Sequence, residues 1–257
     1  MVVESAAVVL RTQRFGDTSL LATLYTQQFG KCTVLAKGAR TVGSPHGAAL
    51  EVPNHIRVAF YRSPRREISL VRTAELTERF GRLRVSLEHM ATALLIAESI
   101  LLTQAPDEPN SVLYALLLQA LRGIEQSETP PFGIAVAFLL RLARLLGFAP
   151  SLQPLVSEPG TPLILRSDDG ALVPPQQGYR GIVLQPAEGE LLRTLQHIPL
   201  EAAPLLALRL PEAFRLIQGL ISYLEHHLER TLRFRSLDLW TICSTSPPAP
   251  ACSAASC

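Results

Sequence analysis

The sequence predicts an α+β protein with an N-terminal five-stranded barrel, an α-helical domain and a small inserted segment. Between Glu4 and Leu76, short segments rich in Val, Ile, Leu, Thr and Tyr alternate with turn-forming residues, which is typical of strands. After Phe80 the apolar residues recur every three to four positions, as on one buried helix face. Residues 151–185 follow neither pattern and are rich in Pro and Gly.

The five predicted strands lie close together in the chain. They are SAAVVLRTQRF, TSLLATLYTQQF, KCTVLAKGAR, NHIRVAFYR and EISLVRTAEL, with turns at Gly16-Asp17, Phe29-Gly30, Gly43 to Gly47 and Ser63-Pro64. Five short strands in one small domain indicate a closed barrel. Barrels of this size are often OB-folds, which bind nucleic acid across one strand face and the connecting loops. Strand count alone leaves open an SH3-like or other small barrel without that role.

Helix signals follow the strands. Leu83, Leu87, Met90, Leu94, Ala97 and Leu101 share one helical face. A second helix is predicted from Ser111 to Glu125 with Asn110 as N-cap, and a third from Phe132 to Leu146, closed by Gly147. A further helix starts near Pro211, which fits a first-turn proline, and runs through Glu229.

These patterns predict four regions. Residues 1–80 form the OB-fold nucleic-acid-binding domain, and residues 81–150 with 186–240 form the helical domain. Residues 151–185 form an insertion with a possible hairpin, LILR and ALV around SDDG. Residues 241–257 are low in complexity and are expected to be a disordered tail.

Composition and charge narrow the function classes. No apolar run reaches the ~18 residues of a membrane span, and Glu4 replaces the basic start of a signal peptide. The four cysteines, at 32, 243, 252 and 257, lack zinc-site spacing and suit a reduced compartment such as the cytoplasm. Residues 1–80 carry 11 Lys/Arg against 6 Asp/Glu, so the positive charge belongs to the predicted barrel.

Catalytic signatures are absent from the sequence. It contains no GxxxxGK[ST], HExxH, GxSxG or GxGxxG motif, so we predict no enzyme, no catalytic residue and no cofactor. His226 and His227, flanked by Glu225 and Glu229, point about 100° apart on a helix. They therefore predict a solvated helix face better than a metal site.

The cations of the barrel are the stronger signal. Lys37 and Arg40 share a predicted loop with Gly38, where backbone and cations can approach a phosphate closely. Arginines beside aromatic rings suit single-stranded nucleic acid. The alternative is that some arginines only keep a turn soluble and that Phe60 belongs to the core. The candidate DNA-binding residues are Lys31, Lys37, Arg40, Arg57, Arg62, Arg65 and Arg66, the last four interleaved with Phe60 and Tyr61.

The order of several short motifs resembles the RecO family of recombination mediators. The stretch LATLYTQQFGKCTVLAKGARTVGSPHGAAL is similar to that family's N-terminal barrel, with its "T…GK…AKGAR…S…L" progression. AELTERFGRLR, LLLQALRGIEQ, LLRLARLLGFAPSL and LISYLEHHLERTLRFRSL continue the similarity over about residues 4 to 238.

The resemblance implies a non-catalytic bacterial repair protein, cytoplasmic and nucleoid-associated. RecO-like proteins bind and anneal single- and double-stranded DNA, and they act with RecR to load RecA onto DNA covered by single-stranded DNA-binding protein. Lys37 and Arg40 match the family's DNA-contacting loop, and Lys31 begins the strand that leads into it. The alternative is a protein-interaction scaffold whose barrel has lost DNA affinity.

Two further expectations come from the resemblance. Many relatives carry a four-cysteine zinc module after the GFAP segment, but here Leu155, Glu158 and Pro174 to Gln177 stand near the expected cysteines, so we predict no metal. Relatives hold the acidic, hydrophobic-tipped tail of the single-stranded DNA-binding protein on their helical domain. The candidate partner-binding residues are Arg141 and Arg144, beside Phe138, Leu142 and Leu145. The alternative is that both arginines simply lie on the solvent-exposed side of a core helix.

Overall fold

A computed structural model describes residues 1–62, 67–152 and 160–245. The predicted turn at Ser63-Pro64, the candidates Arg65 and Arg66, the positions Leu155 and Glu158, and residues 246–257 of the predicted tail lie outside these residues. The start of that tail was predicted wrongly, because residues 241–245 belong to a helix (Leu237–Thr245).

The first third of the chain is a closed five-stranded barrel. Its strands are β1 (Val2–Phe15), β2 (Ser19–Thr26), β3 (Gly30–Ala36), β4 (His55–Tyr61) and β5 (Ile68–Glu78), with the short helix α1 (Pro45–Ala49) between β3 and β4. The strand order is β1-β2-β3-β5-β4, and only the β3–β5 pair is parallel. This confirms the predicted OB-fold barrel followed by helices.

The interior of the barrel is a separate apolar cluster. Alternate residues of each strand point inward because the side chains of a strand alternate between its two faces. Val9, Leu24, Val34, Ile56 and Val58 are completely buried there. The barrel therefore has its own core, apart from the larger one of the helices.

Within the described residues, six α-helices follow the barrel. They are α2 (Leu87–Thr103), α3 (Ser111–Gln126), α4 (Phe132–Leu145), α5 (Pro186–His197), α6 (Leu210–His227) and α7 (Leu237–Thr245). The predicted N-cap is present, since Asn110 Oδ1 accepts a hydrogen bond from Leu113 N at 2.9 Å. Helix α4 contacts α2, α3, α5 and α6 and is buried on almost every side, so it is the centre of the helical core.

A small antiparallel sheet lies between α4 and α5 in the chain. The predicted hairpin is present as β6 (Leu163–Arg166) and β7 (Leu172–Val173), and β8 (Gly181–Leu184) adds a strand in the order β7-β6-β8. Leu165, Leu172 and Leu184 are buried in the helical core. The sheet is therefore packed into that core.

Candidate nucleic-acid interface

Two loops at one end of the barrel are joined by Arg40. Its backbone N–H donates to Thr18 O at 2.8 Å, and its Nη1 donates to Asp17 O at 2.9 Å in the β1–β2 turn. The loop that carries Arg40 turns at Gly38, whose φ of +66° lies in the left-handed region that glycine adopts readily. The Arg40 side chain remains exposed, so its other donors can still reach a phosphate.

Lys37 is the exposed cation of the same loop. Its ammonium group makes no hydrogen bond or ion pair with the residues that the structure describes. It follows directly after β3 and shares one turn with Arg40. The structure therefore brings together the two loop cations that the sequence predicts.

Two other predicted cations on β4 and just after it are engaged with acidic residues. Arg57 Nη1 lies 3.6 Å from Glu4 Oε1, and both side chains are exposed. Arg62 Nη2 donates to Asp107 Oδ1 at 2.9 Å, and its guanidinium carbon lies 4.8 Å from the centre of the Phe29 ring. Arg62 thus links the barrel to the segment between α2 and α3, and its role in DNA binding stays a prediction.

Lys31 lies at the boundary with the helices rather than in the loop. Its Nζ donates to Leu101 O, near the end of α2, at 2.8 Å. Burial, with a smaller effect of Arg230, lowers the pKa of this amine below its usual value. The Lys31 ammonium therefore already has a hydrogen-bond partner in the protein, and this bond joins β3 to α2.

An apolar belt crosses the outer face of the barrel. Leu21, Leu35, Leu70 and Tyr61 are in register on β2, β3, β5 and β4, and Val2 on β1 is paired with Tyr61. The three leucines are half-buried and lie outside both core clusters, and Tyr61 is 48% exposed. Phe60, the neighbour of Tyr61, is buried in the barrel core. This confirms the alternative interpretation that Phe60 is a core residue.

Sequence reasoning missed this belt. Its signal is that Leu21 on β2 and Leu35 on β3 are apolar, although each alternates with an inward-facing residue, Ala22 and Val34. The pairing of β3 with β5 brings together residues far apart in the chain, so the belt becomes visible only once the register is known.

The predicted partner-binding residues differ in their surroundings. Arg141 donates to the carbonyl groups of Ala137, at 2.9 Å, Leu195, at 3.3 Å, and Ile198, whereas Arg144 is exposed. Phe138 and Leu142 are completely buried. The expected apolar face is therefore inside the core, and no groove is formed by these two side chains.

The predicted histidine pair divides into two environments. His226 is exposed, as predicted, but the His227 ring stacks on Phe148 with centroids 4.9 Å apart. Burial lowers the pKa of His227. Across residues 1–62, 67–152 and 160–245, no three His, Cys, Asp or Glu side chains come together as a metal site would need.

In the described parts of the chain, none of the helices combines the length and the apolar character that a membrane span requires.

Comparison with known proteins identifies the family. The family model "Recombination protein O N terminal" matches residues 1–80, and the family model "Recombination protein O C terminal" matches residues 84–237. The chain belongs to the RecO family of DNA repair proteins. The resemblance in the sequence motifs is thus confirmed over almost the same residues.

Individual relatives carry the same name. The DNA repair protein RecO of Chlorobium limicola is 30% identical over 254 residues, which cover 92% of this chain and 97% of the relative. The RecO protein of Chloroherpeton thalassium is 27% identical over 93% of this chain and 98% of its own length. That of Salinibacter ruber is 34% identical, over 59% of this chain and 58% of the relative.

Proposed function

We propose that this RecO-family protein is a DNA-binding recombination mediator without catalytic turnover. It binds single- and double-stranded DNA, anneals complementary strands, and helps RecR to load RecA onto DNA covered by single-stranded DNA-binding protein. It works in the bacterial cytoplasm, on the nucleoid, and not at a membrane.

The observation that carries the proposal is the pair of cations at the joined loops. Lys37 and Arg40 are both exposed, and hydrogen bonds from Arg40 to the β1–β2 turn hold their loop in place. Cations on a fixed loop can bind phosphates without first ordering the chain, which lowers the entropic cost of binding. Phosphate contacts of this kind supply most of the sequence-independent affinity for DNA.

The apolar belt extends this site along the barrel. Leu35 precedes Lys37 by two residues, so the belt begins beside the loop. In an OB-fold, nucleic acid lies across one strand face and the connecting loops. A strand whose phosphates contact Lys37 and Arg40 could therefore place its bases over the belt.

The first prediction concerns Lys37. Lys37→Ala removes one phosphate contact, so we expect weaker DNA binding for every sequence and a plot of log K against log salt that is shallower by about one unit. Fluorescence anisotropy with labelled oligonucleotides over a range of NaCl concentrations measures both quantities. Lys37→Ala is preferred to Arg40→Ala because loss of the Arg40 side chain would also remove its hydrogen bond to the β1–β2 turn.

Two controls accompany this measurement. Lys37→Arg keeps the charge and should bind as the parent does. Arg180→Ala removes an exposed cation next to β8, far along the chain from the loop, and should leave the slope unchanged. An unchanged slope for Lys37→Ala would contradict the assignment of the loop, and a parent that does not bind DNA would favour the scaffold function.

The mediator role is tested in a reconstituted reaction. RecA ATPase activity on single-stranded DNA covered by single-stranded DNA-binding protein should rise when the chain and RecR are both added, and should stay low if either is left out.

Docking of the acidic tail of the single-stranded DNA-binding protein is tested with a peptide of that tail and the variant Arg144→Ala. Arg141 is left intact in this test because its donors hold helix α5.

A further inference from the structure

Two large apolar side chains are exposed on the loops that Arg40 joins. Phe15, the last residue of β1, is 50% exposed, and Val42, two residues after Arg40, is fully exposed. Neither side chain belongs to the barrel core or to the residues packed against it. Exposed apolar residues are common singly, but these two lie on the loops that Arg40 joins, at the proposed binding site.

The backbone that carries these side chains is held in place. Thr41 Oγ1 donates to Gly38 O at 2.7 Å, and Ser44 N donates to Thr41 O at 3.1 Å, on either side of Val42. Phe15 is paired with Ser19 across the β1–β2 turn, to which Arg40 is bonded. Both side chains are therefore presented on ordered backbone, so little conformational entropy is lost when a ligand binds.

The chain segments that carry the two side chains are rich in cations. Residues 11–18 and 37–44 contain four cations, Arg11, Arg14, Lys37 and Arg40, and one acidic residue, Asp17. Exposed apolar side chains on cation-rich segments suit a polyanion that also exposes apolar faces. Unpaired nucleotides have this chemistry, because each phosphate is followed by a base whose flat face is free to stack.

We propose that Phe15 and Val42 contact unpaired bases and give this end of the barrel a preference for single-stranded over duplex DNA. The proposal rests on the proposed DNA-binding function and adds to it the part of the ligand that is recognised. In a duplex the base faces are stacked on one another, so the apolar pair has nothing to contact and only the phosphate contacts remain.

The test separates phosphate contacts from base contacts by their salt dependence. The full chain is titrated against labelled oligothymidine and against a duplex with the same number of phosphates, over a range of NaCl concentrations. Phe15→Ala combined with Val42→Ala should weaken binding to oligothymidine by about tenfold, the size of one lost stacking contact. The slope of log K against log salt and the duplex affinity should stay as in the parent, because no cation is removed.

Matched variants show that the effect belongs to the base contact. Phe15→Tyr keeps a ring and should bind oligothymidine as the parent does. Val183→Ala with Leu205→Ala removes two exposed apolar side chains from other parts of the chain and should change nothing. Equal thermal midpoints for the parent and the double variant establish that the fold is kept.

Three results would overturn the proposal. If the double variant binds oligothymidine as tightly as the parent while Lys37→Ala lowers the salt slope, the loop binds DNA but the apolar pair does not. If the double variant loses the same factor on oligothymidine and on duplex, the pair only supports the loop. If the parent binds neither DNA, the proposed function fails and this inference with it.

Discussion

Arg141 and Arg144 show how one turn of helix separates a structural arginine from a surface one. Arg141 lies three residues before Arg144, and its guanidinium reaches the carbonyls of Leu195 and Ile198 at the end of α5. A cation there satisfies carbonyls that no longer have a helical partner and lies at the negative end of the helix dipole. Burial lowers the pKa of Arg141, yet an arginine stays charged at any ordinary pH.

This difference predicts different costs for the two arginines. Arg141→Met keeps the apolar stem but leaves the carbonyls without their donor, so the free energy of unfolding should fall by about 1–3 kcal/mol. Arg144→Ala, at an exposed position, should change it by less than about 0.5 kcal/mol. Urea denaturation followed by circular dichroism measures both, and equal costs would contradict the assignment of Arg141 as a clamp on α5.

At the scale of elements, the β2–β3 turn is pressed against the segment between α2 and α3. Gly30 begins β3 with a φ of +66°, and a Cβ at this position would lie 2.2 Å from Glu108 O. Thr26 Oγ1 donates to Gly30 O at 2.9 Å and closes the turn. The turn therefore needs glycine for its backbone conformation and also for the close approach of the other segment.

Gly16 provides a matched control, because its φ is +60° and a Cβ there would meet nothing within 4 Å. Gly16→Ala should cost only the ~1–2 kcal/mol of a left-handed residue with a side chain. Gly30→Ala should cost clearly more, since backbone atoms must also move apart. The two free energies of unfolding test this, and similar values would mean that the segment at Glu108 yields easily.

Local signals account for the elements that the sequence predicts well. Asn110 and Pro211 mark helix starts, and Gly147, with a φ of +95°, follows the end of α4. Strand β8 was missed because GIVL is short and pairs with β6, whose hairpin partner β7 lies between them in the chain. The Lys37 loop was predictable because its residues are contiguous. The partner of Lys31, Leu101, is 70 residues away, and no local pattern points to it.

At the scale of the whole molecule, buried histidines link folding to pH. His55 Nε2 lies 3.0 Å from Tyr114 Oη, and its Nδ1 lies 3.5 Å from Glu78 Oε2, where the barrel meets α3. His89 Nε2 lies 3.1 Å from Ser127 O. Burial lowers the pKa of both imidazoles below 6.5, although Glu78 opposes the shift at His55 and Ser127 opposes it at His89.

Because these folded-state pKa values are lowered, the unfolded chain binds more protons than the folded one below about pH 6.5. The free energy of unfolding should therefore fall as pH decreases from 7 towards 5, by up to about 1.4 kcal/mol per pH unit for each such histidine. Urea titrations at several pH values measure this. His89→Gln should flatten the profile, and a profile that is already flat in the parent would contradict the prediction.

The chain has two lysines, and the structure places them in opposite chemical situations. The Lys31 amine is half-buried and bonded to Leu101 O, whereas the Lys37 amine is exposed beside the proposed DNA path. Amine-directed reagents therefore distinguish the two lysine side chains by access, and a succinimidyl dye will couple to Lys37 in preference to Lys31. The exposed α-amine of Met1 reacts with the same dye, so the loop and the N-terminus can both be labelled without introducing a cysteine.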